Sequence, residues 1–282
     1  MLNSIRISRL LALSAWRIKM KTIFVKELKL NLKNLLIWSL AVGGVGLACI
    51  LLYRSMQGEI AEIGDAFSDM GFFSDAFGMS TLSMATLAGY FAVEVGTVHG
   101  LGGGMFAAIT AIGMLSKEEE GHSGEFLLSL PVSRKKVVAS KGLCVICMLA
   151  AFSVICGCLY AVGFASMGES LPAKEFMIFM LGQFLMNIEV AAICFAISAL
   201  SGKNRMGAGL GLALLMYVYD VIGRAVPDLK EYLFIGPYSY VNASEIFSGK
   251  SASAAAFAVA VVITACAVFF AFWYYDRRDL AS

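Results

Sequence analysis

Residues 117–136 read Lys117-Glu118-Glu119-Glu120-Gly121-His122-Ser123-Gly124-Glu125-Phe126-Leu127-Leu128-Ser129-Leu130-Pro131-Val132-Ser133-Arg134-Lys135-Lys136. A long apolar run precedes this segment and another begins just after Lys141. The order is acidic, short apolar turn, proline, basic. A plain connector between two apolar runs needs no such order. The order suits a surface element that docks against a soluble partner, and the flanking runs place it at a membrane face.

Composition agrees with a membrane setting. The chain has 282 residues, 59% of them hydrophobic and only 15% charged, and its mean hydropathy is +0.79. A soluble domain carries about 25% charged residues. The apolar runs leave no room for a separate soluble domain. Net charge is +2 and says little, because in membrane proteins the placement of charge carries the information.

Six segments reach the ~20 residues needed to cross a bilayer: roughly 34–53, 86–116, 142–166, 175–200, 206–226 and 254–275. The reading is therefore an all-α integral membrane protein, a six-helix domain over 34–275. The second segment is too long for one straight span, so its first part is expected in the outer interface or as a re-entrant piece. Basic residues set the orientation. Arg6, Arg9, Arg17, Lys19, Lys21, Lys26, Lys29 and Lys33 precede the first span, against one acid, Glu27. Lys117, Arg134, Lys135, Lys136 and Lys141 mark the 117–141 connector, Lys203 and Arg205 the next, and Arg277 and Arg278 the tail. Residues 54–85 instead carry Glu59, Glu62, Asp65, Asp69 and Asp75 with one Arg. Every basic flank falls on one side if both termini are cytoplasmic, with 276–282 a cytoplasmic tail.

Residues 1–19 read as a basic N-terminal extension; the short apolar stretch Leu10–Trp16 lacks a small-residue cleavage site. Over 19–33, Lys19, Lys26, Lys29 and Lys33 share one face of a helix, with Phe24, Val25, Leu28 and Leu32 opposite, while Ile23, Leu30 and Lys21 break the pattern. That pattern predicts an amphipathic helix lying along the inner leaflet. The outer loop 227–252 carries Tyr232, Phe234, Tyr238 and Tyr240, residues typical of the membrane–water boundary.

Catalytic patterns are missing from the sequence. His99 and His122 are the only histidines, and no His-Glu-x-x-His occurs. A phosphate-binding loop fails at Ser248-Gly249-Lys250-Ser251, where Ser244 stands at the position of the required first Gly. ATP is therefore not expected to bind this chain in that manner. Cys144-x-x-Cys147 and Cys156-x-Cys158 have ligand-like spacing without a second Cys or His cluster, so packing is expected for all seven cysteines. Ionisable residues inside apolar spans are costly and face protein or water: Glu94, His99, Glu189, Asp220 and Arg224. Glu189 lies deepest and is the candidate for a transport path. Asp220 and Arg224 are placed to pair at i, i+4. Glu94 and His99 are expected near the outer boundary. Gly96, Gly100, Gly104 and Ala108 form a small-residue row, as do Gly207 and Gly211, suited to close helix packing within the chain or between subunits.

At 117–141 the sequence resembles the signature of ABC-2-type transporter permeases. The matching residues are Glu119, Glu120, Gly121, Glu125, Leu127, Leu128, Ser129, Leu130, Pro131, Val132, Ser133, Arg134 and Lys141. Lys26-Glu27-Leu28-Lys29 before the first span and Gly236-Pro237-Tyr238-Ser239-Tyr240 before the last are similar too. The resemblance implies the transmembrane subunit of an ABC exporter, in a cell membrane of bacterial type. It implies two partners besides membrane lipid: a separate ABC ATPase subunit, and a second permease copy or a related permease. ATP and Mg would sit on the ATPase, with no cofactor on this chain and no nucleic-acid partner. Glu119, Glu120, Gly121, Glu125, Leu127, Leu128, Pro131 and Arg134 would couple to the ATPase, with 20–33 as the elbow helix. Gly121 and Gly124 would permit tight turns there, and Ser133 would cap the third span. Implied cargoes are a drug, an antimicrobial peptide or another amphipathic molecule. Two other readings stay open: an ion-coupled carrier or channel using Glu189 and Asp220, and a non-transporting membrane regulator of an ATPase.

Overall fold

The computed structural model describes residues 2–68, 71–77, 82–121, 132–250 and 253–278, with side chains from residue 20 onward apart from 60–68, 72, 73 and 77. Six long helices organise it: α1 (Leu2–Ser68), α2 (Leu87–Ile112), α3 (Arg134–Met167), α4 (Ala173–Leu200), α5 (Met206–Ala225) and α6 (Ala254–Arg277). Each contains a stretch long and apolar enough to cross a membrane. Many of their surface residues are large and apolar, such as Leu40, Val154, Leu215 and Phe269. Burying that surface in lipid, not in protein, is what such helices require.

The helices alternate in direction. Trp38 of α1 meets Phe106 of α2 and Tyr53 meets Tyr90, an antiparallel pairing. Ser39 of α1 meets Cys156 of α3, and Ile50 lies beside Gly163, so those two run parallel. Small residues on α2 set the closest approaches: Gly103 lies against Asn187 of α4 and Gly104 against Tyr238. The Gly96–Gly104 row is thus used for packing inside the chain. Gly207 and Gly211 on α5 have nothing near the position a Cβ would take.

Two stretches bear on the expected elements. First, the 20–33 stretch continues into the first span as part of one helix, Leu2–Ser68. Ile23, Glu27, Leu35, Ser39, Val42, Gly46, Ile50 and Tyr53 are all buried at helical spacing along one uninterrupted face. No Gly or Pro interrupts 20–42, so nothing in the chain forces a bend. The helix has 67 residues, about 100 Å at 1.5 Å per residue, and extends well beyond a ~30 Å apolar layer. Second, the 86–116 run contains no re-entrant piece. Leu87–Ile112 is one helix of 26 residues with a π-helical turn at Phe91–Val95. The run ends where a turn leads from Gly113 to the short helix Lys117–Glu120.

Re-entry occurs elsewhere. After α5, a 3₁₀ stretch Pro227–Ile235 leads into Gly236–Asn242 and the short helix Ala243–Phe247. Tyr232 and Phe234 stay exposed, as expected of boundary aromatics. Tyr238 and Tyr240 do not; they are 4% and 6% exposed and reach into the bundle.

Candidate functional site

At one end of the bundle, charges from distant segments converge. Lys141, in the first turns of α3, is fully buried. Its ammonium bonds Glu118 Oε1 at 2.5 Å, the Met114 carbonyl at 2.6 Å and Glu27 Oε1 at 3.2 Å. Three donors meet three acceptors, which is what a buried lysine needs. Glu27 Oε2 also takes the Lys117 ammonium. The lone acid of the N-terminal flank therefore joins α1 to both ends of the 117–141 connector.

A second set ties the same connector to the chain's end. The Arg278 guanidinium bonds Glu119 Oε2 at 2.6 Å and the carbonyls of Ala199 and Ser201 at 2.8 and 3.0 Å. Arg134 donates to the Arg278 carbonyl, and Glu120 accepts from the Asn204 backbone N–H at 3.0 Å. The Ser198 hydroxyl takes the N–H groups of Leu115 and Ser116 at 2.9 and 3.3 Å, satisfying a buried turn. Burial pushes the Glu119 carboxyl above its usual range; the Arg278 charge pulls it partly back, while neighbouring Glu118 adds to the rise.

Of the expected coupling residues, Glu119, Glu120 and Arg134 are thus knit into this end of the bundle. Glu125, Leu127, Leu128 and Pro131 lie outside the described residues. Gly121 follows the short helix at φ −85°, which any residue adopts, so its place needs no glycine. Ser133 occupies the N-cap position of α3, yet its side chain makes no capping bond. Its backbone carbonyl serves the first turn through Lys136 and Val137 instead.

The intramembrane candidates separate into distinct environments. Glu189, on the inward face of α4, accepts the Tyr240 hydroxyl at 3.0 Å. Asp220 and Arg224 form a two-bond pair at 2.8 and 2.9 Å, and Arg224 also reaches the Tyr238 carbonyl at 3.4 Å. His99 is inside the bundle. It lies 12 residues into α2, about 18 Å along the axis. It is fully buried, with Nδ1 3.0 Å from the Tyr160 hydroxyl. Glu94 sits in the π-helical turn near Cys49 and Tyr90. Asp220 and Glu189 are held by different residues.

Sequence reasoning missed Gln183, Asn187, Tyr238 and Tyr240 as partners in this interior. Gln183 Nε2 donates to the Val241 carbonyl at 3.2 Å. Its Oε1, both amide atoms of Asn187 and the Tyr238 hydroxyl are buried without a partner among the described residues. A polar cavity of about 50 Å³ lies between Gly96, Gly100, Gln183, Asp220, Arg224, Tyr238 and Ser244. That volume admits a few waters. The Asn242 side chain accepts the Glu245 N–H at 3.0 Å as a helix cap, and Ser244 is 2% exposed.

Buried polar side chains thus join the helices in one half, and the connector is pinned at both ends by charge in the other. The sequence matches the family described as ABC-2 family transporter protein over residues 21–280. The chain belongs to the ABC-2 transporter family. No curated protein matches it. As an ABC-2 family member it is a multi-pass membrane protein, the permease component of an ABC transporter, and the family works in partnership with an ABC ATPase. Among the described residues no group of His, Cys, Asp and Glu is placed to hold a metal.

Proposed function

We propose that this chain is the permease of an ATP-driven exporter whose 117–141 connector docks a separate ABC ATPase at the cytoplasmic face of a bacterial cell membrane. ATP and Mg act on that subunit. The observation that carries the reading is Lys141, buried between Glu118 of the connector and Glu27 of α1. A push on the connector cannot move it alone, because separating those charges inside protein is expensive. The displacement passes into α1 through Glu27, into α3 through Lys141, and toward α4 and α6 through Arg278.

Near the opposite end, the loop carrying Tyr238 and Tyr240 closes the bundle. Glu189, Gln183 and Arg224 hold it by hydrogen bonds. Interhelical hydrogen bonds in membranes average only about 0.6 kcal/mol, so withdrawal of this loop is within reach of ATP-driven motion. The path then opens at the interface with a second permease, copy or relative. The open Gly207–Gly211 face of α5 supports such a contact. The cargo class is an amphipathic molecule, a drug or an antimicrobial peptide, for which a path between apolar helices with few fixed charges is suited.

The test is co-expression with an ABC ATPase. Glu125→Arg with Leu128→Arg should leave the permease in the membrane, yet abolish co-purification and permease-stimulated ATP hydrolysis. Unchanged hydrolysis and co-purification would refute the docking assignment.

A further inference from the structure

A groove of about 330 Å³ runs up the outside of the bundle between α3, α4 and α6, lined entirely by apolar residues. Its floor is low because the residues there are small: Gly142 on α3, and Ala191 and Ala192 on α4. Phe195 and Phe272 form its walls. Along α3 it extends from Val138 to Leu149, about 16 Å at 1.5 Å per residue. That is half of a ~30 Å hydrocarbon core, the depth of a single leaflet. On α4 it begins at Ile188 and on α6 at Val268, so all three helices present it over the half nearest the charged connector.

The mouth of the groove is charged. Lys135 lies on the same face of α3 as Val138, Ala139, Gly142 and Ile146, by helical spacing. Asp276 stands one turn beyond Phe272 on α6, and the Lys135 ammonium meets it at 3.4 Å across the opening. Lys135 remains 67% exposed and spends one of its three donors on Asp276.

We propose that this groove is a binding site for one acyl chain of an anionic phospholipid from the connector-side leaflet, with the headgroup phosphate on Lys135. The chain lies over the alanine and glycine floor. The phosphate sits where three features coincide: the end of the groove, the end of one leaflet's depth, and an exposed ammonium with donors to spare. A neutral zwitterionic lipid satisfies the groove but gains less at the mouth. A lipid seated there packs against Gly142 and Ile188 at once, and so joins α3 to α4 next to the Lys141 network.

Native mass spectrometry of the purified full-length chain, with dioleoyl phosphatidylglycerol or phosphatidylcholine added, tests this. Gly142→Leu fills the floor: a Cβ at Gly142 meets only Phe195, at 3.9 Å, so a larger side chain points into open groove. Expected are retained phosphatidylglycerol adducts in the native chain and at least a five-fold loss of adducts of both lipids in Gly142→Leu. Lys135→Gln should lose the preference for phosphatidylglycerol while keeping phosphatidylcholine adducts. Should Gly142→Leu fail to fold, Ala139→Leu on the half-exposed wall replaces it, with the same expected loss. Adducts insensitive to the filling variant, or equal for both lipids in the native chain, overturn the proposal. So does disulfide cross-linking between copies carrying Leu143→Cys in a cysteine-free background, which would show that a second chain covers the groove.

Discussion

The two halves of this bundle are held by different physics. At the connector end, full charges from segments far apart in sequence meet in burial: Glu27 with Lys117 and Lys141, Glu118 with Lys141, Glu119 with Arg278. In the other half the buried contacts between segments are hydrogen bonds from Tyr240, Gln183 and Arg224; the two-bond ion pair Asp220–Arg224 is local to one helix, and the ion pairs that do join segments, Arg224–Glu245 and Lys230–Asp75, each involve an exposed acid. Removing one partner of a buried ion pair costs about 3–5 kcal/mol, whereas a neutral bond between helices averages about 0.6 kcal/mol. One end is therefore fit to transmit a displacement and the other to yield to it.

The largest effect is expected at Lys141. Lys141→Met leaves Glu27 and Glu118 buried without their shared cation and should destabilise the purified permease by about 3–5 kcal/mol. Adding Glu27→Gln removes part of that uncompensated charge, so the double variant should be more stable than the sum of the single losses predicts. Strict additivity in a thermal melt would mean that the two residues do not form one network.

A middle-sized effect is expected where the tyrosine loop packs on α2. A Cβ at Gly96 would crowd Ala243, and one at Gly104 the Tyr238 hydroxyl. Gly96→Val should cost about 1–3 kcal/mol by overpacking and should loosen the loop. Faster hydrogen exchange at 236–247, with no change at 113–121, would sharpen the contrast between the two ends. Equal acceleration at both would break it.

The smallest effect belongs to the single latch. Tyr240→Phe removes one hydroxyl from Glu189 and should cost about 0.6 kcal/mol, and no more than ~1.7. Glu189→Gln keeps the shape and should still assemble with the ATPase, while changing export or its pH dependence. A melt lowered as far as in Lys141→Met would show that this half is pinned as firmly as the other.

How far the sequence disclosed all this differs by kind of signal. Six apolar runs separated by charge need only composition and length, so the spans were legible. The Asp220–Arg224 pair was legible because its spacing is local. Glu27 was visible only as a lone acid among lysines; its meaning depends on Lys117 and Lys141, 90 and 114 positions further along the chain. The descent of Tyr238 and Tyr240 into the bundle was hidden for a related reason. A Gly-Pro-Tyr-Ser-Tyr stretch has no period, and the residues that receive it, Gln183, Glu189 and Gly104, sit on other helices. The same holds for the continuity of α1: a basic amphipathic stretch beside an apolar one fits a bent and an unbent helix alike, and the buried face running from Ile23 through Glu27 to Tyr53 is set by packing against α3 and the connector.

One measurement joins both ends. Ser244→Cys places a thiol in the cavity behind the tyrosine loop, in a chain whose seven native cysteines are replaced. Labelling by a membrane-impermeant maleimide from the outer side is followed in the reconstituted permease–ATPase pair, with and without ATP and Mg. The account predicts slow labelling at rest, a several-fold rise with ATP, and a blunted rise in Glu27→Gln despite normal ATPase binding. Labelling indifferent to ATP in the intact pair, or an undiminished rise in Glu27→Gln, would contradict it.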